Sequence, residues 1–368
     1  MDLNAFMNDG TEDILHIARR HYLKSARGTR FLARIAASFA RDVKTREEHE
    51  RNGLHVPPFL IASIASECNL DCVGCYAHVF GTTTRAARDS ELSDEAWDRI
   101  FDEANRLGVS FILLAGGEPL LRRGVIERAA KHKGIVFPVF TNGTLVDKDF
   151  LELADRSRNI VPVLSTEGSD EQTDARRGPG VSQRVRSAIE GCNSRSILWG
   201  TSLTVTTENL DEVTSDGFMR DLHARGCGLV ICNEFVPVGA GTAHLALSME
   251  GHNRLMERMD AIYRDDSIDG MIVVAFPGNE EFMGGCLAAG RGFFHISQAG
   301  AAEPCPFSPF SVANVAEVGL EGALRSSFFS RVRAIEAAHA DEHMGGCTLF
   351  LHRAEVEKAV SEMSQSAV

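Results

Sequence analysis

The stretch Cys68-Asn-Leu-Asp-Cys72-Val-Gly-Cys75 decides how this chain is read. It places three thiols in the order Cys-x3-Cys-x2-Cys, directly after an apolar run at 59–64. Three thiolates hold three irons of a cubane 4Fe–4S cluster and leave the fourth iron open to bind and activate a second molecule. The competing readings are a zinc site or unrelated buried cysteines. Zinc commonly takes four ligands from paired short spacings, and no second pair lies nearby. The spacing favours the cluster.

Working outward, a strand pattern at 109–115 ends in Gly116-Gly117-Glu118-Pro119. Glycines let backbone come close to a ligand. Together the two motifs resemble the radical S-adenosylmethionine (radical SAM) superfamily, over residues 59–239 and more weakly over the C-terminal region. The resemblance implies that the open iron chelates the methionyl amine and carboxylate of SAM. An electron from an external donor of the flavodoxin or ferredoxin type, passed through the cluster, then cleaves the sulfonium C–S bond. The resulting 5′-deoxyadenosyl radical removes hydrogen from a substrate. One departure stands out. Many members carry an aromatic residue directly before the third cysteine, near the adenine; here that position is Gly74, and Tyr76 follows Cys75.

From residue 59, strand patterns at 59–65, 109–115, 135–141, 159–165, 197–206 and 228–237 alternate with helical patterns at 93–107, 121–133, 147–157, 181–193 and 208–225. This alternation predicts parallel strands joined by right-handed crossovers. Six such α/β units look like the partial (β/α)6 TIM-type barrel of the superfamily, with its chemistry at the C-terminal strand ends.

The resemblance carries further residues to those ends. Gly116, Gly117 and Glu118 correspond to the segment that contacts the methionyl amine. Asn142 follows the third strand and faces the same end, although Thr141-Asn142-Gly143 is also an ordinary turn. Ser165 and Glu167 resemble the segment that meets the SAM ribose or carboxylate. Arg176 and Arg177 resemble an arginine segment suited to fork pairing with a carboxylate; a solvated turn is the alternative. Ser202 and Thr204 share a strand face that reaches the SAM carboxylate, and both also suit a strand. Val236 ends the sixth strand, where the family packs adenine. Alternation puts Val230, Cys232, Glu234 and Val236 on one face. If Val236 meets adenine, Cys232 points into the barrel as a hydrogen donor to a substrate radical; the plainer account is a buried small residue. Cys192 and Cys227 carry no partner signal.

Beyond residue 245 the pattern restarts. A strand pattern at 271–276 precedes Cys286, and a second at 293–297 leads through Gly300 to Cys305. The run Cys-x13-Gly-x4-Cys looks like the opening of a SPASM/twitch-type extension, and Cys347 supplies a third thiol after a helical segment at 319–338. Cys286, Cys305 and Cys347 are expected to hold one auxiliary 4Fe–4S cluster, with Asp341, His343, His352 or the substrate as fourth ligand. The middle cysteine run of the full SPASM motif is missing. A zinc or structural thiol site is the competing reading.

The bulk numbers set limits. A net charge of −13 argues against general nucleic-acid binding. Nine cysteines without a secretion signal favour reduced thiols and metal ligation in a cytoplasm over a disulfide framework. Residues 1–10 read as a disordered start. From 14 to 46 the pattern is helical, divided at Gly28, with Phe31, Ile35, Phe39 and Val43 on one face and a strongly basic remainder. It is expected to cap the barrel, with membrane association through its basic face as the weaker possibility. The expected division is 1–55 as an N-terminal helical segment, 56–245 as the core barrel and 246–368 as the auxiliary-cluster region. A helical rather than strand-rich N-terminus, where peptide-modifying relatives often carry a leader-binding domain, favours a small-molecule substrate or a peptide delivered by a separate protein, with a peptide-modifying maturase as the alternative. A non-catalytic Fe–S or zinc scaffold is the reading from another class.

Overall fold

The computed structural model describes residues 18–19, 22–23, 26–88, 90–278, 284–339 and 347–366. The six expected strands are present as β1 (Phe59–Ala65), β2 (Phe111–Gly116), β3 (Phe137–Thr141), β4 (Ile160–Thr166), β5 (Gly200–Val205) and β6 (Leu229–Glu234). Each pairs in parallel with the next, as right-handed βα units require. Helices run between them, among them Asp94–Leu107, Lys148–Arg156 and Val181–Ser194. Several start where the local chemistry predicts: the side chains of Ser93 and Asp147 accept from the backbone N–H groups of Ala96 and Phe150.

The alternation of each strand separates two environments. Leu60, Ala62 and Ile64 of β1 pack with Ile112, Leu114, Trp97, Ile100 and Phe101 in the core between sheet and helices. Ile61, Leu113, Ser202, Thr204, Ile231 and Asn233 occupy the other face and stay partly exposed. That face is the interior of the open barrel.

The sheet extends further than the six units. β7 (Ile272–Phe276) pairs in parallel with β6. β8 (His295–Ile296) pairs in parallel with β1 and antiparallel with β9 (Ala302–Glu303). The order is β7-β6-β5-β4-β3-β2-β1-β8-β9. The expected boundary at 245 therefore cuts through one sheet, because residues 246–368 supply strands to both of its edges.

Residues 26–51 form one helix, Ala26–Arg51. Gly28 lies in its first turn rather than dividing it, and a side chain there would clash with the carbonyl of Tyr22. Leu32, Ile35 and Phe39 pack with Val136, Val161 and Leu198, at the start of β3, β4 and β5, and with Phe111 at the start of β2. The helix thus caps the end of the barrel opposite the cysteine loop. The residues read as a disordered start lie outside those described. Among the described residues no helix is long and apolar enough to cross a membrane.

Candidate active site

The loop after β1 is fastened from three sides. The Cys68 N–H donates to Thr84 O at 2.9 Å, the Val73 N–H to Arg176 O at 3.0 Å, and the Cys75 N–H to Cys72 O at 3.2 Å. Asn142 Nδ2 donates to Asn69 Oδ1 at 2.9 Å, and Asn69 Nδ2 to Thr144 Oγ1 at 2.8 Å. All three thiols are half-buried. Burial pushes the Cys68 thiol up to about 11, with Glu118, Cys72 and Cys75 adding to the rise. Burial also raises Cys72, against the pull of Arg177 and Arg176. Three soft sulfur donors that sense one another, with two guanidiniums behind them, fit an anionic iron–sulfur cluster.

Gly116 and Gly117 do bring backbone close, but to the chain itself. A Cβ on Gly116, which has φ +116°, would stand 2.5 Å from Ala65 O. One on Gly117 would collide with the carbonyl of Glu67, the residue before Cys68. Glu118, which the resemblance places beside SAM, is engaged within the chain. Its carboxylate is buried and accepts from Thr141 Oγ1 at 2.7 Å, the Leu120 N–H at 3.0 Å and the Asn142 N–H at 2.8 Å. It braces the end of β3 against the end of β2. Asn142 is likewise engaged: besides Asn69, its Oδ1 accepts from the Thr144 N–H at 3.0 Å.

At the ends of β4 and β5 the charges converge. Buried Glu167 accepts from Arg176 Nη1 at 2.5 Å and Arg177 Nε at 2.7 Å, and its other oxygen accepts from the Thr204 N–H at 3.1 Å. Arg176 also donates to Thr204 Oγ1 at 3.0 Å. The solvated-turn alternative for Arg177 is excluded, since its side chain is 11% exposed. Two cations against one carboxylate leave positive charge beside Cys72. Ser165 and Ser202 are register partners on the interior face, where Asn233 Nδ2 donates to Ser202 Oγ at 2.9 Å. Val236 is buried just past β6.

Cys232 faces the other way from the interior. Register pairs it with Leu203, and pairs Glu234 with Val205, whereas Ser202 and Thr204 pair with Ile231 and Asn233. Cys232 therefore packs between sheet and helices, where burial pushes its thiol up to about 12. Glu234 meets His252 of the helix Met249–Tyr263 at 2.9 Å. Alternation had identified the shared face but not which face looked inward.

Two features escaped the sequence. The ring of Phe235 lies against Gly74, at the position where an aromatic residue was missing. Inside the barrel, Ser63 Oγ lies 2.7 Å from His295 Nε2, and His295 Nδ1 lies 2.7 Å from Glu303 Oε2, all three residues being buried. The available signal was the hairpin: His295 and Glu303 flank the Gly300 turn in mutual register.

The C-terminal thiols Cys286, Cys305 and Cys347 are all buried. The Ala289 N–H donates to Pro304 O at 3.1 Å, tying the Cys286 loop to the residue before Cys305. Tyr76, directly after Cys75, is half-buried, packs at a tilt against Phe307 with ring centroids 4.9 Å apart, and lies near enough to Cys75 and Cys305 for both to add to the burial that raises its hydroxyl. Cys347 opens a single helical turn, Thr348–Leu351. Of the candidate fourth ligands, Asp341 and His343 lie outside the described residues, and His352 Nδ1 lies 3.1 Å from Glu355 Oε1.

Comparison with known proteins agrees with this geometry. Residues 63–216 match the model of the radical SAM superfamily. The chain is 28% identical over 289 residues to an AdoMet-dependent heme synthase of Methanosarcina barkeri, covering 71% of this chain and 80% of that protein. It is 27% identical over 327 residues to the mycofactocin maturase MftC of Mycolicibacterium smegmatis, covering 82% and 80%. Streptococcus suis SuiB bound to S-adenosylmethionine shares the fold, with a TM-score of 0.63 at 17% identity, over 80% of this chain and 72% of that one. The chain carries a radical SAM domain, takes S-adenosylmethionine and a 4Fe–4S cluster as cofactors, and is a radical SAM enzyme with relatives among the SPASM/twitch-type maturases.

Proposed function

We propose that this enzyme oxidises or rearranges a small molecule held inside the barrel, between the core thiols and an auxiliary cluster on Cys286, Cys305 and Cys347. The observation that carries this reading is the contact of Tyr76, directly after Cys75, with Phe307, two residues past Cys305, which brings the two thiol segments together. Cys68, Cys72 and Cys75 would hold the core cluster, and Arg176 and Arg177 would offset its charge and orient the SAM carboxylate. Phe235 and Val236 would flank the adenine, with Ser165 and Ser202 nearby. Bound SAM and the reduced core cluster would together supply the radical chemistry that removes hydrogen from substrate. Ile61, Leu113, Ile231 and Phe276 give the chamber an apolar wall, broken by the Ser63–His295–Glu303 group. Such a wall suits a largely apolar molecule with one polar group. Electrons would come from a flavodoxin- or ferredoxin-type donor.

The heme-synthase likeness supports a small molecule. The maturase likeness, over 82% of the chain, supports a second reading in which a peptide is the substrate. Under dithionite, anaerobically reconstituted protein should release 5′-deoxyadenosine from SAM, and a Cys68→Ala, Cys72→Ala, Cys75→Ala variant should not. Deuterium should then pass into 5′-deoxyadenosine from the small-molecule fraction of a deuterated cell extract. Transfer from the peptide fraction alone would overturn the small-molecule reading, and equal 5′-deoxyadenosine release by the triple variant would overturn the core assignment.

A further inference from the structure

Outside the thiol sets, one cluster converges as metal ligands do. His339 follows the helix Ser327–Ala338, while His352 and Glu355 lie where the last helix, Arg353–Ser366, begins. His339 Nε2 lies 3.0 Å and His352 Nδ1 3.1 Å from the same atom, Glu355 Oε1. The two imidazole rings stack with centroids 3.4 Å apart and planes 18° from parallel. One potential ligand atom from each of the three residues falls within 4.8 Å of the others.

We propose that His339, His352 and Glu355 bind a divalent transition-metal ion of the zinc type. Zinc bonds of 2.0–2.2 Å to imidazole nitrogen and carboxylate oxygen put neighbouring tetrahedral ligands about 3.3 Å apart. The nitrogen–oxygen separations here lie close to that value, and one of the stacked rings would turn about its χ2 on binding so that both in-plane lone pairs meet the ion. Two imidazoles and one carboxylate suit zinc and its neighbours rather than magnesium or calcium, which prefer oxygen. The histidines are mostly buried, at 20% and 16% side-chain exposure, while Glu355 is half exposed, so a fourth position can be filled by water. Without a metal the cluster requires one protonated and one neutral ring, and zinc retention by the parent protein separates that arrangement from a metal site. Two protonated rings stacked this closely would repel, and two neutral rings would both have to donate to one oxygen atom.

The ion would join the end of one helix to the start of another, closing the segment that carries Cys347. That consequence rests on the proposed auxiliary cluster; the metal site does not.

The test uses full-length protein, anaerobically reconstituted with its iron–sulfur clusters, desalted, and then titrated with Zn2+ alone or with Co2+ as a spectroscopic probe. One zinc per chain should be retained beyond the clusters, with unchanged iron. Co2+ should give visible d–d bands without thiolate-to-metal charge transfer. His339→Ala and Glu355→Gln should each weaken zinc binding at least about tenfold, the loss that removal of a mere supporting partner causes. No retained zinc in the parent protein would overturn the site, without reliance on any variant's folding. So would a thiolate charge-transfer band, which would move the ion to cysteines. A His352→Ala variant that keeps its zinc but loses iron would also overturn it, making His352 a cluster ligand. Failure of the auxiliary cluster alone would appear as missing iron with the zinc result intact.

Discussion

Gly74 and Phe235 share one place in the structure: a Cβ on Gly74 would stand 2.7 Å from Phe235 Cε2. Gly74 adopts φ +69°, a conformation that side chains rarely take. The residue just past β6 places its ring against the loop at the position before the third cysteine. The loop gives up its side chain so that a neighbouring strand can insert one.

If that ring faces the adenine, Phe235→Ala should weaken SAM binding by about 1 kcal/mol, roughly fivefold, the scale of one aromatic contact. Phe235→Tyr should retain affinity, because the face is kept. Anaerobic calorimetry on reconstituted protein checks both. Equal SAM affinity in the alanine variant would remove Phe235 from the adenine site.

Gly117 makes a different prediction from the one its motif suggests. A side chain there strikes the Glu67 carbonyl before it can reach a ligand. The Glu118 N–H also donates to that carbonyl, at 2.8 Å. Gly117→Val should therefore disturb Cys68 as well as SAM. Iron content and SAM affinity should fall together, as read by iron assay and calorimetry. Full iron with weakened SAM binding would restore the direct-contact reading.

These cases separate what was legible from what was not. The thiol spacing and the strand–helix alternation are local, so the cluster loop and β1 to β6 could be read directly. The strand at 271–276 was legible as a strand, but its place beside β6 depends on pairing across the chain. Alternation grouped Cys232 with Glu234, but only the register with Leu203 and Val205 shows that they face the helices. Phe235 and His295 act through partners 161 and 232 positions away, and no short window contains such pairs.

The buried Ser63–His295–Glu303 group should behave as one coupled hydrogen-bonded unit. Removing one member leaves its buried partner without a hydrogen bond, at a cost of about 1–3 kcal/mol. His295→Ala should therefore destabilise the protein strongly. A His295→Leu, Glu303→Leu double variant should lose less than the sum of the two single changes. A double-mutant cycle by chemical denaturation measures the difference. Additive losses would mean that the two side chains do not act as a pair.

The C-terminal thiols carry the last prediction. Cys286 and Cys305 approach through the Ala289–Pro304 hydrogen bond, and Cys305 lies close enough to the core loop to be sensed by Tyr76. Cys347 must return across the helices Val315–Leu324 and Ser327–Ala338, so a cluster held by all three thiols would tie the end of the chain to the barrel. A group bound only by the native state also stabilises that state. The variant lacking Cys68, Cys72 and Cys75 should accordingly retain about four irons per chain, the content of one cubane. Adding Cys347→Ala should lower both the remaining iron and the melting temperature. Iron and sulfide assays with Mössbauer spectra on anaerobically reconstituted protein decide the point. A folded core variant without iron would leave the enzyme with a single cluster, and the electron from the product radical would then need another acceptor.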